Sequence, residues 1–300
     1  MLYPNKNILL YTAIGDAYCL AVEYIKDKEY INKCLEFKRY LKHPSHNNKP
    51  GTYSDDCQQS TGNALVLLDG SFTALNFANH WVNIFKNDPR DAYSRKFQKF
   101  LEEVSDGKEF LEKIQPDSNK NGAAMRASPL GVLKSPQKVL EVATLQAAIT
   151  HDTPGGRFGA QAVALMSHYF LYQPTPITRE YLSDFLHLHL KNIIKSDSLF
   201  AGVFIDEYDG PACGPEVGLV TAKVAFEILT SSKSLLEMLT KCIVPNSDTD
   251  TIGAITLGIG SSRMKDNLPQ FMHDQLEVGT KYGSQFLIDI GTKLMEKYNI

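Results

Sequence analysis

Two short runs of oxygen-bearing side chains are denser in hard donors than their local structure requires. The first, Gly51-Thr-Tyr-Ser-Asp-Asp-Cys57, leads into the apolar positions Ala64, Leu65 and Leu68; the second, Asn246-Ser-Asp-Thr-Asp-Thr251, leads into the glycine-spaced stretch Ile252 to Gly260. Each reads as the first turn of a helix, the second one buried. A single Asp, Ser or Thr there is an ordinary N-cap, accepting from free backbone N–H groups at the positive end of the helix dipole. Paired carboxylates exceed that need, and in a low-dielectric interior they repel unless a cation lies between them. Taken alone, Ser54-Asp55-Asp56 is better explained as a capped helix start. Taken jointly, Ser54, Asp55, Asp56, Asp248, Asp250 and Thr251 offer oxygen ligands for two hard cations. That donor set suits Mg²⁺, Mn²⁺ or Ca²⁺ rather than zinc and leaves coordination positions for water or substrate hydroxyls.

A third acidic feature is Ala13-Ile-Gly-Asp-Ala17 followed by Glu23. If that segment is continuous helix, Asp16 and Glu23 lie two turns apart on one face. The plain reading is a polar stripe on an N-terminal helix. The chemical reading is a structural acid beside the metals, Asp16, and a mobile acid or base near the opening, Glu23.

The elements that must carry these residues are helical. Leu235, Leu239 and Cys242 recur at helical spacing, as do Tyr181, Phe185 and Leu188, and Phe286, Ile290 and Leu294. Phe97, Phe100 and Leu101 share a segment whose other face, with Arg95, Lys96, Lys99, Glu102 and Glu103, is solvated. No run of alternating β-branched residues is present, so the fold class is all-α. Turn-forming stretches fall at 43–51, 116–122, 152–156, 208–215 and 245–247, none long enough for a disordered linker. One domain over residues 1–300 is expected, and the loops at 51–56, 117–124 and 246–251 could converge only if the helices cross at steep angles.

Composition narrows the classes. The chain has 300 residues, 43% hydrophobic and 22% charged, a globular balance, and its net charge of -3 argues against a partner held by bulk attraction to nucleic acid. Cys19, Cys34, Cys57, Cys213 and Cys242 are scattered without CxxC spacing, which suggests neither a disulfide framework nor a zinc knuckle and points to a reducing compartment. The apolar run Ile8 to Ile14 is too short and too soon interrupted by Asp16 to span a bilayer. A cytoplasmic protein without a membrane partner, and a monomer, is the expectation.

In this order along the chain, the motifs resemble those of the ADP-ribosylglycohydrolase family, which includes ADP-ribosylarginine hydrolases and dinitrogenase reductase-activating glycohydrolases. Ile14-Gly-Asp-Ala17 with Glu23 is similar to the family's opening Gly-Asp-Ala and glutamate, and Tyr53-Ser-Asp-Asp-Cys57 to its Thr-Asp-Asp-Thr motif. Asn121-Gly-Ala-Ala-Met-Arg126 before Pro129 is similar to its Asn-Gly-x-x-Met-Arg loop. Thr150-His151, Asp248-Thr-Asp-Thr251 and Leu268-Pro269 match the remaining landmarks.

The resemblance implies a compact orthogonal helical bundle with a central cleft for two Mg²⁺ or Mn²⁺ ions, ligated by Ser54, Asp55, Asp56, Asp248, Asp250 and Thr251. It implies hydrolysis at the anomeric carbon of the distal ribose, with an ADP-ribosylated protein or other ADP-ribosylated acceptor as partner and ADP-ribose as product. Glu23 is the candidate for protonating or positioning the scissile group and Asp55 for activating a water. Substrate contacts are expected from Asp16, Ser118, Asn121, Gly122, Ala123, Ala124, Met125 and His151, the loop from Asp117 to Ala124 offering backbone N–H groups to the diphosphate or ribose.

Departures from the pattern are local. Ser54 and Cys57 stand where threonines are commoner, and Asn246 and Ser247 where glycines are. Some arginine-specific members carry a carboxylate where this chain has Ser118. Other readings start from other residues: His151-Asp152 suggests an HD-type metal phosphohydrolase, but leaves both acidic clusters unexplained. Gly258-Ile-Gly260 lacks the strand and third glycine of a dinucleotide fingerprint, so helix packing accounts for it. The family resemblance also admits non-catalytic ADP-ribose binders and crystallin-like structural members. The six ligand candidates and Glu23 favour catalysis.

Overall fold

The computed structural model describes residues 7–300; positions 1–6 of the expected domain lie outside them. The helices run in order α1 (Ile8–Cys19), α2 (Lys28–Cys34), α3 (Asp55–Asp69), α4 (Ala74–Asn87), α5 (Arg95–Glu103), α6 (Gly107–Lys113) and α7 (Gly122–Met125). They continue with α8 (Pro136–Ala148), α9 (Pro154–Tyr172), α10 (Arg179–Ser196), α11 (Val217–Ser231), α12 (Leu235–Cys242), α13 (Thr249–Gly260), α14 (Phe271–Asp274) and α15 (Ser284–Tyr298). Among the described residues there is no strand, only isolated bridges from Asp117 to His151 and from Ser234 to Lys265. The all-α expectation holds.

Helices α1 and α13 form the centre, and every residue of both is buried. Glycine sets how close they come. A Cβ placed on Gly15 would lie 2.1 Å from the Gly253 carbonyl oxygen, and one on Gly253 would lie 2.6 Å from that of Gly15. The backbones therefore touch, which brings Asp16 on one helix beside Asp250 on the other. Further along, Gly258 faces Thr12 and Gly260 faces Met238, so the Gly-Ile-Gly pair is a packing device.

Around this pair, α3 packs on α1 and α4, and α15 on α3. Trp81 of α4 fills the space over Gly62 and donates its indole N–H to Asn63 Oδ1 at 2.9 Å. On the other side α9 packs against α8, α7 and α11. Both α8 and α9 begin with proline at the first helical position behind a Ser or Thr cap, so these two starts were marked in the sequence.

Three local expectations need correction. The segment from Asp16 to Glu23 is not one helix: α1 ends at Cys19, Leu20–Val22 is a 3₁₀ turn, and Glu23 has ψ of 122°. The cause is tertiary. Tyr24 is left-handed (φ 52°), donating its backbone N–H to Ser247 O at 2.9 Å, while Asn246 N–H reaches Ile25 O at 2.8 Å. On α10 the apolar stripe is Leu182, Phe185, Leu186 and Leu190, with Tyr181 and Leu188 exposed. On α15, Leu287 rather than Phe286 joins Ile290 and Leu294 in the core.

The α1 to α13 contact predicts unequal costs for two glycines of one helix. Gly253→Ala places a methyl group against backbone that cannot yield and should cost about 3 kcal/mol in denaturant unfolding. Gly258→Ala meets the rotatable Thr12 hydroxyl and gains helix propensity, so it should stay within about 1 kcal/mol of the unaltered chain. Equal costs would mean that the backbone contact does not hold these helices in register.

Candidate metal centre and ligand cleft

The starts of α3 and α13 converge on the end of α1. Carboxylate oxygens of Asp16, Asp56 and Asp250 lie within 4.8 Å of one another, and so do those of Glu23, Asp248 and Asp250. Asp250 belongs to both groups. The two acidic runs, 194 positions apart when counted from Asp56 to Asp250, are thus one structure (250 − 56).

Each carboxylate is held by a specific neighbour. Asp16 accepts the Ser54 N–H at 2.9 and 3.0 Å and the Cys57 N–H at 2.9 Å, so it caps α3 from a different helix. Ser54 Oγ accepts from the Asp56 N–H at 3.3 Å and donates to Asp56 Oδ2 at 3.1 Å. Asp56 Oδ1 is buried with no hydrogen-bond partner. Asp248 Oδ2 accepts from Tyr24 Oη at 2.7 Å and from Asn121 Nδ2 at 3.0 Å. Glu23 Oε2 meets His46 Nε2 at 2.8 Å, and His43 Nε2 meets the Glu23 carbonyl at 3.0 Å. Because His43 Nδ1 accepts the Ser45 and His46 N–H groups, its proton sits on Nε2 and is donated to Glu23.

Charge crowding raises the acids. Burial pushes the Asp16 carboxyl up to about 7, even against the hydrogen bonds from Cys57 and Ser54 that oppose the rise. Asp55, Asp56 and Asp250 are pushed well above the carboxylate range, by burial first and then by neighbouring carboxylates. Glu23 is raised by burial too, against the bond from His46. Arg90 offers little relief. Its guanidinium is spent on the Tyr53 carbonyl at 2.8 Å, on Glu277 at 2.5 Å and on Asp88, while Glu277 also accepts the Tyr53 N–H at 2.9 Å. That network pins the residue before Ser54. A concentration of hard oxygens with one buried oxygen unpartnered fits a divalent cation of the Mg²⁺, Mn²⁺ or Ca²⁺ type.

The expected ligand set is brought together with changes. Ser54, Asp56, Asp248, Asp250 and Thr251 surround the convergence and are buried, whereas Asp55 is half-buried and stands outside both carboxylate groups. Asp16 was expected to contact substrate; it is wholly buried and instead joins a carboxylate group while bonding backbone. Cys57 is likewise buried, its thiol pushed well up by burial, as packing at a helix start requires.

The 117–125 loop lies against this centre through Asn121, whose amide nitrogen bridges Asp248 and Thr221 Oγ1. Gly122 and Ser118 are half-buried. Ala123 and Ala124 are fully buried and Met125 nearly so, and the N–H groups of Ala124 and Met125 go to the Asn121 carbonyl at 2.7 and 2.9 Å. These three pack behind the loop and are not the substrate contacts expected of them. His151 lies across Gly122: a Cβ there would sit 2.9 Å from its Nε2. The 204–215 stretch closes one side, with Ala212 bonded to both Ser247 and Asp248.

Sequence reading missed Tyr24, His43, His46, Arg90 and Glu277. Two histidines three apart around a proline turn were the only visible signal for the first pair of imidazoles, and nothing local marked the Arg90 to Glu277 pair.

A family model for ADP-ribosylglycohydrolase matches residues 6–298. The chain belongs to the ADP-ribosylglycohydrolase family. Its fold is similar to a solved structure described as an ADP-ribosylglycohydrolase-related protein complex, at TM-score 0.75 and 18% identity over 98% of this chain and 97% of that one. No curated protein sequence matches. Members of this family are hydrolases that act on ADP-ribosylated substrates and generally depend on metal, in keeping with the clustered carboxylates. The HD-type reading fails on geometry. Among the described residues the histidine bonded to a carboxylate group is His46, through Glu23, rather than His151 of the His-Asp pair, and His80 is bonded to Asp69.

The raised acids predict how this family member responds to pH without metal. Between 3.8 and about 7 the folded chain holds a proton on Asp16 that the unfolded chain has lost. Stability from this group is therefore complete below the lower value and lost as pH rises through the upper one. Melting of chelator-treated protein should rise by several degrees as pH falls from about 8 to about 6, and a divalent cation at the higher pH should restore it. Melting that responds to neither would remove the electrostatic case for the centre.

Proposed function

We propose that the chain is a metal-dependent hydrolase that removes ADP-ribose from a modified acceptor, cleaving the bond at the anomeric carbon of the distal ribose. The observation that carries this is the pair of carboxylate groups sharing Asp250, set directly beside the Asn121-Gly122 loop and His151. Two Mg²⁺ or Mn²⁺ ions are assigned to Ser54, Asp55, Asp56, Asp248, Asp250 and Thr251, with Asp16 and Glu23 close enough to share in the donor set. When bound, such cations supply Lewis-acid charge that organises sugar hydroxyls and offsets the carboxylates.

The protein's own groups then divide the proton work. Water adds across the glycosidic bond: its hydroxyl goes to the anomeric carbon and its proton leaves. Asp55, half-buried and outside both carboxylate groups, is assigned to take that proton, its raised carboxyl being brought back down when bound cations offset the neighbouring acids. Glu23, its carboxyl raised by burial and aligned by His46, can hold a proton and give it to the departing acceptor atom. The transition state gathers positive charge on the ring, which the surrounding carboxylates favour. Asn121 and Tyr24 keep Asp248 in place while this happens, so the geometry need not be assembled during reaction.

The acceptor is an ADP-ribosylated protein or a similar adduct, and the rim formed by 204–215 beside Ser247 and Asp248 is where its identity would be read. We assign one domain, a monomer and a reducing, cytoplasmic setting. The single apolar core running from Ile8 to Tyr298 and five free cysteines support the domain and the setting.

Two measurements test the assignment. Titration of ADP-ribose into the protein should show binding with Mg²⁺ that is lost on chelation. Asp55→Ala and Asp250→Ala should each lower release of ADP-ribose by about 10³-fold or more with the fold retained. ADP-ribose binding without turnover by the unaltered chain, on arginine-, serine- and nucleic-acid-linked substrates, would make this a binding member of the family. Full activity of either variant in metal-replete buffer would overturn the residue assignments.

A further inference from the structure

Arg126 is buried at 1% exposure, and among the described residues no carboxylate pairs with it. Its guanidinium stacks 3.9 Å over the Trp81 ring and donates only to neutral acceptors: Gln146 Oε1 at 2.7 Å, the Gln146 carbonyl at 3.2 Å, Gln59 Oε1 at 3.4 Å and Thr150 Oγ1 at 2.7 Å. Burying a cation this way is costly, and the proton is loosened, down to about 9, by desolvation. A side chain kept there at such cost is doing more than filling space.

The bond to Thr150 leads outward. Thr150 Oγ1 is also 2.7 Å from His151 Nδ1, and these are its two partners among the described residues. Arg126 has no lone pair to offer, so the threonine oxygen must accept from it. The threonine hydroxyl proton then has one acceptor within reach, His151 Nδ1. If Nδ1 carried the hydrogen instead, the threonine proton would be buried without a partner, a loss worth more than the bond itself. Nδ1 is therefore the bare nitrogen and Nε2 bears the proton. Nε2 has no protein partner and is not among the buried unpartnered atoms, so solvent reaches it. The ring lies close against two glycines: a Cβ on Gly122 would meet its Cε1 at 2.8 Å, and one on Gly156 would meet its Cβ at 2.8 Å.

We propose that Arg126 and Thr150 are positioning residues that fix His151 as a neutral Nε2–H donor aimed across Gly122 at an acceptor oxygen of the bound ligand. Burial holds the imidazole far below its usual range, to about 3, with Arg126 and then Lys120 adding repulsion, in keeping with a neutral ring. A neutral ring gives one directed hydrogen bond rather than a mobile positive charge. Next to a crowd of carboxylates that distinction matters, because an imidazolium would compete with a cation for them. The ligand half of this proposal rests on the ADP-ribose reading above; the tautomer does not.

The test separates the two. In full-length protein labelled with ¹⁵N-histidine, long-range proton–nitrogen correlation spectra report which ring nitrogen of His151 is protonated, the signal being identified by its loss in His151→Asn. We expect the proton on Nε2 in the unaltered chain and in Thr150→Ser, which keeps the hydroxyl. We expect Thr150→Val to shift the proton population toward Nδ1. ADP-ribose affinity should fall about tenfold in Thr150→Val and stay within about twofold in Thr150→Ser, the effect of one aligned hydrogen bond to a charged oxygen. An Nδ1 proton in the unaltered chain, a measurement that needs no variant to fold, would overturn the relay. An unchanged tautomer and affinity in Thr150→Val would overturn it equally. An Nε2 proton with no ADP-ribose binding at all would uphold the relay and reject the ligand.

Discussion

Mutual repulsion among Asp16, Glu23, Asp55, Asp56, Asp248 and Asp250 is the constraint on which the rest of this structure depends. Packing these acids at the meeting of α1, α3 and α13 opposes folding, and the fold answers by removing every freedom around them. Backbone contact between Gly15 and Gly253 fixes the two central helices against each other. Asp16 is used up as a cap for α3, which ties that helix start to α1. Arg90 and Glu277 hold Tyr53 from the other side. What remains is a set of closely spaced carboxylates held by fixed neighbours, a donor set that suits a hard cation.

Much of this was legible because the carboxylates exceed what local structure can use. A helix start needs one cap, so Asp55 beside Asp56, and Asp248 two before Asp250, announced themselves. The burial of α13 followed from its glycine spacing, and the all-α class from periodicity. The loop at 121–126 was legible as a motif, but not which of its residues face the cleft. Asn121 does so through Asp248, whereas Ala123 and Ala124 turn inward because their short helix packs on α9.

What stayed hidden was set by partners distant in sequence. The break after Cys19 arises because Tyr24 and Ile25 pair with Ser247 and Asn246, and no local signal in residues 16–23 encodes that. Asn246 takes φ of 56°, a conformation that suits a residue visiting the left-handed region readily. His43 and His46 looked like loop residues. Their role exists only once the chain brings Glu23 under them. On α10, Tyr181 and Leu188 fit a helical period, yet the buried stripe begins one residue later, at Leu182, since which face turns inward depends on α9.

Among the described residues no arginine or lysine supports these acids, which bears on where the cationic side chains went. Asp16 is held by backbone N–H groups, Asp56 by Ser54, Asp248 by a phenol and an amide, and Glu23 by an imidazole. Two arginines lie near the same motifs, and neither pairs with these carboxylates. Arg90 is committed to Glu277 and Asp88, and Arg126 to glutamines, a threonine and an indole ring. An arginine bonded to Asp56 or Asp250 would neutralise the site permanently and make the fold more stable by itself. Keeping both guanidiniums turned away leaves the carboxylates oriented and without a cationic side chain, so that protons or a divalent cation can relieve their repulsion, as suits a family that generally depends on metal.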